Sequence, residues 1–266
     1  MTVLLALLAL LWFAVALALC VLLLRQRTVR KQRNLFSEWP IRRVAPENVD
    51  PVFRPGPFGP SRDTEVVFVG RGPYVVDGGT SDGEAWILAV LARRAQRLFE
   101  FGTCTGKTAY LWARNSPAAA RVITVTLAPD HIGDYRKEDT DDQQDVHFAL
   151  RESIHTDFLY SRSPVESKVE QLFGDSKTLD VSPWRDSCDL VFVDGSHAYS
   201  YVVSDSAKAL ELVAPGGLVL WHDYAGPRHA PGVYRALNEL ADRLPLVRLE
   251  GTTLVAYRRP AATATR

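Results

Sequence analysis

Two groups of residues stand where they could do chemistry. The stretch from Leu98 to Thr108, Leu-Phe-Glu-Phe-Gly-Thr-Cys-Thr-Gly-Lys-Thr, ends an apolar run on an acidic residue, Glu100, and follows it with Gly102 and Gly106. Glycine lets the backbone come close to a bound molecule, and a helix starting there offers it free N–H groups. Further on, Asp194 and His197 stand just past one apolar run, and His222 with Asp223 just past the next. A histidine can take a proton near neutral pH, and a carboxylate set can hold a divalent cation that acidifies a bound hydroxyl.

Three ligands fit a glycine turn of this kind. A phosphate-binding P-loop needs a glycine, four residues, then Gly-Lys-Ser/Thr. Gly106-Lys107-Thr108 supplies the ending, but Phe101 stands where the first glycine belongs. The dinucleotide fingerprint Gly-x-Gly-x-x-Gly fails as well, because Cys104 and Lys107 take its second and third glycine positions. What remains is Glu-x-Gly-x-x-x-Gly, a strand-turn-helix junction with an acidic strand end.

The elements that must position these residues follow from hydrophobic period. Ser81 or Thr80 with Glu84 forms a helix start, and Ile87, Leu88, Leu91 and Ala95 make one apolar face. Strands are expected at Leu98–Glu100, Arg121–Thr126, Val169–Phe173, Asp189–Asp194 and Leu218–His222, with helices from about Tyr199 to Val213 and Gly232 to Leu244. Two last strands, Leu246–Leu249 and Thr253–Tyr257, turn at Gly251. Strand and helix alternate, so the expected fold is α/β: a Rossmann-like, doubly wound, mostly parallel sheet with a C-terminal antiparallel hairpin. Ligands bind such sheets outside the carboxyl ends of the strands, which is where Glu100, Thr126, Asp175, Asp194, His222 and Asp223 fall. The segment 127–167 is irregular and acidic, a solvated face or a lid.

Ahead of this domain, Val3 to Leu24 runs without a charge, glycine or proline. At ~1.5 Å per residue it makes a helix of roughly 33 Å, enough to cross a bilayer. Arg25, Arg27, Arg30, Lys31 and Arg33 follow directly, which by the positive-inside rule places the domain in the cytoplasm. The expected organisation is a single-pass membrane anchor at 1–24, a basic then proline-rich linker at 25–63, the catalytic domain at 64–260, opened by a hairpin of Glu65–Val69 and Tyr74–Val76, and a tail at 261–266. The 266 residues carry 31 lysines and arginines against 31 aspartates and glutamates, so charge gives no case for a nucleic-acid partner. Cys20, Cys104 and Cys188 show no paired spacing and are expected as free thiols.

The run from Cys188 to Tyr199, Cys-Asp-Leu-Val-Phe-Val-Asp-Gly-Ser-His-Ala-Tyr, then Asp205, then Ala-Pro-Gly-Gly-Leu-Val-Leu-Trp-His-Asp-Tyr up to Tyr224, resembles the family 24 group of class I S-adenosylmethionine-dependent methyltransferases. That group includes sugar O-methyltransferases of macrolide assembly. The resemblance runs from about Thr80 to Arg259 and leaves out the anchor and linker. It implies that S-adenosylmethionine binds at Glu100, Gly102, Thr103 and Gly106 through its methionine part, and at Asp175 and Ser176 near its adenine. Thr126 stands where the family usually has an acidic residue for the ribose hydroxyls. By analogy, Asp194 and Asp223 are ligands of Mg²⁺ or another divalent cation, with His222 beside them in place of a carboxylate, and His197 is the general base, with Asp194 also at the catalytic centre. The implied activity is O-methylation of a hydroxyl on a sugar, or on another small or lipid-linked acceptor. Two other readings compete with it: a non-catalytic scaffold that kept the fold, which Thr126 favours, and a nucleotide hydrolase using Gly106-Lys107-Thr108.

Overall fold

The inner strands of the central sheet are largely apolar at successive positions, and the computed structural model shows why: both faces of the sheet are covered there. It describes residues 2–29, 39–54, 64–65 and 78–262. After helix α1 (Thr2–Val29) come β1 (Arg42–Val44), α2 (Asp82–Ala92), β2 (Arg97–Phe101), α3 (Lys107–Asn115), β3 (Arg121–Thr126), α4 (Gln143–Glu152) and β4 (Val169–Phe173). The chain continues through β5 (Cys188–Val193), α5 (Tyr199–Leu212), β6 (Val213–Trp221), α6 (Pro231–Ala241), β7 (Val247–Leu249) and β8 (Val255–Arg258).

The strands form one sheet in the order β1-β7-β8-β6-β5-β2-β3-β4. Only β8 runs against the rest, pairing antiparallel with β6 and β7. Alternate residues of each strand face opposite layers, the period-two geometry of a pleated chain. Phe99, Phe101, Ile123, Val125, Val191, Val193, Val219 and Trp221 meet α5 and α6. Leu98, Val122, Leu190, Phe192, Leu218 and Leu220 meet α2 and α3. Fully burying a side chain such as Phe99 or Leu98 is worth about 1.5–3 kcal/mol, so the two layers jointly hold the strands in register. The chain order reverses between β2 and β5, and at such a switch point the loops leaving the two strands part and open a crevice.

Helix α2 starts on a complete capping box: the Ser81 side chain accepts from the Glu84 N–H, and the Glu84 carboxylate accepts from the Ser81 N–H. α1 holds a stretch, Leu5–Leu24, of mean hydropathy 3.0 with none of its side chains buried against the domain.

Several expectations change. The proline-rich stretch taken as linker contributes to the domain: β1 extends the sheet edge by pairing with β7, and Ile41, Val49 and Phe53 are buried. Proline at the first turn of two short 3-10 helices, 46–48 and 51–53, orders this stretch without a helical period in its sequence. The hairpin expected around Gly70 and most of the basic cluster after α1 lie outside the described residues. The acidic segment 127–167 is not simply a solvated face. Asp141 accepts from Ser200 N and Oγ at 2.8 and 2.7 Å, and buried Asp145 faces the Gly232 N–H at 3.4 Å. These two carboxylates stand at the N-termini of α5 and α6, where free N–H groups and the helix dipole favour negative charge. They hold α4 across the carboxyl end of the sheet.

Candidate active site

The glycine turn after β2 is shaped by the protein as much as for a ligand. Gly102 has φ +99°, and a Cβ there would lie 2.0 Å from the Asp194 carbonyl oxygen. Its N–H donates to the Val125 carbonyl, and the Asp194 N–H donates to the Phe101 carbonyl, both at 2.9 Å. Only glycine allows the ends of β2 and β5 to touch in this way, and the contact fixes Asp194 at the floor of the crevice.

The crevice is lined by Gly102, Thr126, Asp175 and Ser176 among the expected cofactor residues, and also by Tyr135, Tyr201 and Asp205. The other three expected residues lie behind its wall. Glu100 is buried and accepts from Thr124 Oγ1 at 2.7 Å; burial pushes its carboxyl up to about 8. Thr103 is turned to Thr124 and to Gln171 Nε2. Gly106 lies beneath the side chains of Tyr160 and Phe158. Tyr135 stacks on Tyr201 with ring centroids 4.4 Å apart, and its hydroxyl meets Ser196 Oγ at 2.7 Å.

Two acceptor atoms in this crevice stand out chemically. Asp175 Oδ2 and Asp205 Oδ1 are buried and take part in no hydrogen bond among the described residues. A buried acceptor without a donor costs about 1–3 kcal/mol. Burial raises the Asp205 carboxyl from its ordinary 3.8 to about 7. A ligand with N–H or O–H groups would relieve both atoms.

Beside the crevice lies a second pocket, lined by Gly79, Phe148, His197, His222, Asp223 and His229 among others. Cys104, Glu152 and Asp194 line both, so the two form one continuous slot. Its charged groups are paired. His197 Nε2 lies 2.9 Å from Asp223 Oδ2. His222 Nδ1 lies 2.9 Å from Asp194 Oδ1 and 3.1 Å from Asp223 Oδ2, while its Nε2 faces Glu84 Oε2 at 3.4 Å. Burial favours the neutral form of His222, but the Asp194 and Asp223 carboxylates outweigh it and hold its pKa well above the usual value. His197 is raised for the same reason, burial being opposed by Asp223. Burial also works against ionised Asp223, and the two imidazoles overcome it and keep that carboxyl well below the usual range.

The neighbouring elements set these side chains. Asp223 has φ +54°, a left-handed conformation that few non-glycine residues adopt and that aspartate tolerates better than most. It lies just past the end of β6 and turns the carboxylate back between the histidines. A Cβ on Gly232 would lie 2.2 Å from the His197 carbonyl oxygen, so α6 starts directly on the His197 backbone. The donor atoms of Asp194, His222 and Asp223 all lie within 4.8 Å of one another, close enough to converge on one cation. Glu84 behind His222 is the kind of carboxylate that orients an imidazole ligand. The mixed oxygen and nitrogen set is less suited to magnesium, which prefers oxygen, than to a cation that accepts imidazole.

Sequence reasoning placed Asp194, His197, His222 and Asp223 in one pocket, and the structure brings them together. It missed Glu84 as part of that site, because its capping-box role explains it fully. Buried Glu84 also accepts from Thr253 N and Oγ1 at 2.7 and 2.8 Å, tying α2 to the closing hairpin. Tyr135 and Glu152 carried no local signal, since they reach the slot only through the fold of 127–167.

A family model described as a methyltransferase domain, of family 24, matches residues 99–224. No curated protein matches the chain. Among solved structures, the O-methyltransferase TomG of Streptomyces achromogenes, in complex with SAM, is 23% identical, with 68% of this chain and 82% of that one covered and a TM-score of 0.45. The SAH-bound methyltransferase PaMTH1 of Podospora anserina is 19% identical over 68% of this chain and 79% of that one, TM-score 0.46. An O-methyltransferase of Bacillus cereus in complex with SAH is 17% identical over 68% and 83%, TM-score 0.46. Likeness this distant carries nothing about acceptor or metal.

Proposed function

We propose that the chain, whose residues 99–224 match the methyltransferase-domain family model, is a membrane-anchored S-adenosylmethionine-dependent O-methyltransferase whose acceptor hydroxyl belongs to a sugar or to another small or lipid-linked molecule. The observation that carries this reading is the continuous slot. One half offers Gly102, Thr126, Asp175, Ser176 and Asp205 to an adenosyl group, and the other presents a histidine paired with a carboxylate. The amino and hydroxyl groups of an adenosyl ligand are donors of the type that Asp175 Oδ2 and Asp205 Oδ1 lack.

Methyl transfer from a sulfonium is an in-line displacement. The acceptor oxygen forms a bond to the methyl carbon as the carbon–sulfur bond breaks, its electron pair goes to sulfur, and the hydroxyl proton must leave. His197 takes that proton. Its Nε2 is committed to Asp223 at 2.9 Å, which leaves Nδ1 as the accepting atom, and Asp223 stabilises the imidazolium that forms. Asp194, His222 and Asp223 are the residues that would hold a divalent cation. When bound, such an ion lowers the pKa of a coordinated hydroxyl.

The helix Leu5–Leu24 supports the anchor by length and composition, and the arginines after it favour a cytoplasmic domain. Calorimetric titration of S-adenosylhomocysteine into the full chain in detergent, with and without a divalent cation, tests the cofactor reading. Saturable one-to-one binding is expected. Failure to bind under either condition would overturn it, and binding without turnover on any acceptor would favour a scaffold.

A further inference from the structure

Outside α1, four large apolar side chains are exposed among the described residues: Phe148 at 36%, Ile154 at 57%, Phe173 at 52% and Val203 at 44%. Three of them line the slot or adjoin residues that line it. Phe148 lines the second pocket, Ile154 follows the crevice residue Ser153, and Phe173 precedes the crevice residue Gly174. Helix α4 buries only Asp145, which binds it to the domain, and turns His147, Phe148 and Arg151 outward. A surface helix that spends its one buried position on a carboxylate and leaves apolar side chains exposed is built to meet something other than water.

The chain itself indicates what that is. Trp39 packs edge-on against Tyr224 and Tyr234 with ring centroids 5.3 and 6.0 Å apart. Tyr224 follows Asp223, and Tyr234 stands in the first turn of α6, which begins on the His197 backbone. The domain is therefore entered on the side of the site. From Val29, the end of α1, to Trp39 the chain spans at most roughly 35 Å at ~3.5 Å per residue. That is less than the breadth of a domain of this size, roughly 45 Å from its expected radius of gyration. With about 7 Å more for the helical turn between Leu24 and Val29, the tether is no longer than the domain is broad, which limits how far the Trp39 side stands from the membrane.

We infer that α4 and the end of β4 rest on the bilayer surface, so that the slot opens towards lipid and receives the hydroxyl of a membrane-borne acceptor. This rests on the membrane-anchored reading above. It goes beyond that reading by naming the face that touches lipid.

The test uses the full chain in phosphatidylcholine vesicles, with the photoreactive residue benzoylphenylalanine introduced singly at Ile154, at Phe173 and at Arg94. Arg94 is exposed and lies just before β2, at the opposite end of the sheet. Lipid adducts several-fold more abundant from positions 154 and 173 than from 94 are expected. Equal labelling from all three, in protein that floats with the vesicles, would overturn the docking surface while leaving the anchor standing. Adducts from 154 to a second copy of the chain instead of lipid would overturn it too. Protein that does not float with the vesicles would overturn the anchor itself. As a second measurement, Ile154→Ser, at an exposed position, should bring the lipid labelling from position 173 down several-fold; unchanged labelling counts against the proposal.

Discussion

The two halves of the slot are built on opposite principles. In the crevice, one carboxylate oxygen each of Asp175 and Asp205 is buried without a hydrogen bond, the nearest cation to the first being Arg136 at 3.9 Å. In the second pocket, Asp194, Asp223 and Glu84 are paired with His197 or His222 at 2.9–3.4 Å. The first arrangement is completed by a ligand that brings its own donors. The second already pairs its carboxylates with imidazoles, so its chemistry depends on moving a proton within a network in place. The difference teaches that affinity and turnover reside in separate groups, and substitutions should separate them.

The wall shared by both halves gives the largest effect. Gly102→Val places side-chain atoms against the Asp194 carbonyl, 2.0 Å from the Cβ position, and should cost more than ~4 kcal/mol of stability, losing both functions together. A chemical-denaturation curve matching the parent would show that β2 and β5 do not need that contact.

Next comes His197→Ala, which should lower turnover by about 10²–10⁴-fold while S-adenosylhomocysteine affinity stays within about twofold. Full activity would remove His197 as the base, and an equal loss of affinity would break the separation between the halves. On the cofactor side, Thr126→Asp should tighten S-adenosylhomocysteine binding about tenfold, ~1.4 kcal/mol, by giving ribose hydroxyls a charged acceptor. Unchanged or weaker binding by calorimetry would show that ribose is held elsewhere.

The smallest effect concerns stability against pH. The Asp205 carboxyl ionises near 3.8 when unfolded and near 7 when folded. Between those values the unfolded chain has released a proton that the folded chain still holds, so this group's contribution to stability is full below about pH 4 and lost by about pH 7. Asp205→Asn should therefore flatten the fall in stability between pH 4 and 7, measured by urea unfolding at both. A slope identical to the parent's would mean that Asp205 titrates normally.

Most of the strands and helices were legible, because parallel strands covered on both faces leave long apolar runs, and helices α2, α5 and α6 carry their own period, α2 adding a capping box. What was not legible depends on contacts between distant parts of the chain. The stretch 41–53 looked like linker, since a strand as short as β1 has no pattern of its own and forms only because β7 offers a free edge. The acids of 127–167 looked solvated, since sequence does not show that Asp141 and Asp145 face the starts of α5 and α6. Glu84 is the clearest case: the same carboxylate closes the capping box of its own helix and faces His222, and only the first role has a local spacing.

By itself the sequence determined the glycine turn, the acidic strand ends, the Asp-His pairs and the apolar helix ahead of the domain, because each is set by neighbours along the chain. Only the tertiary structure decided which of these groups share a slot and in what state. Whether Glu100, Thr103 and Gly106 face a ligand or stand behind the wall depends on how β2, β3 and the segment 127–167 pack. Whether His222 and Asp223 are charged depends on burial and on groups brought within 3.5 Å from α2 and from the connection between β5 and α5. Electrostatic and packing energies fall steeply with distance through space, and distance through space is the quantity that a linear order of residues does not contain.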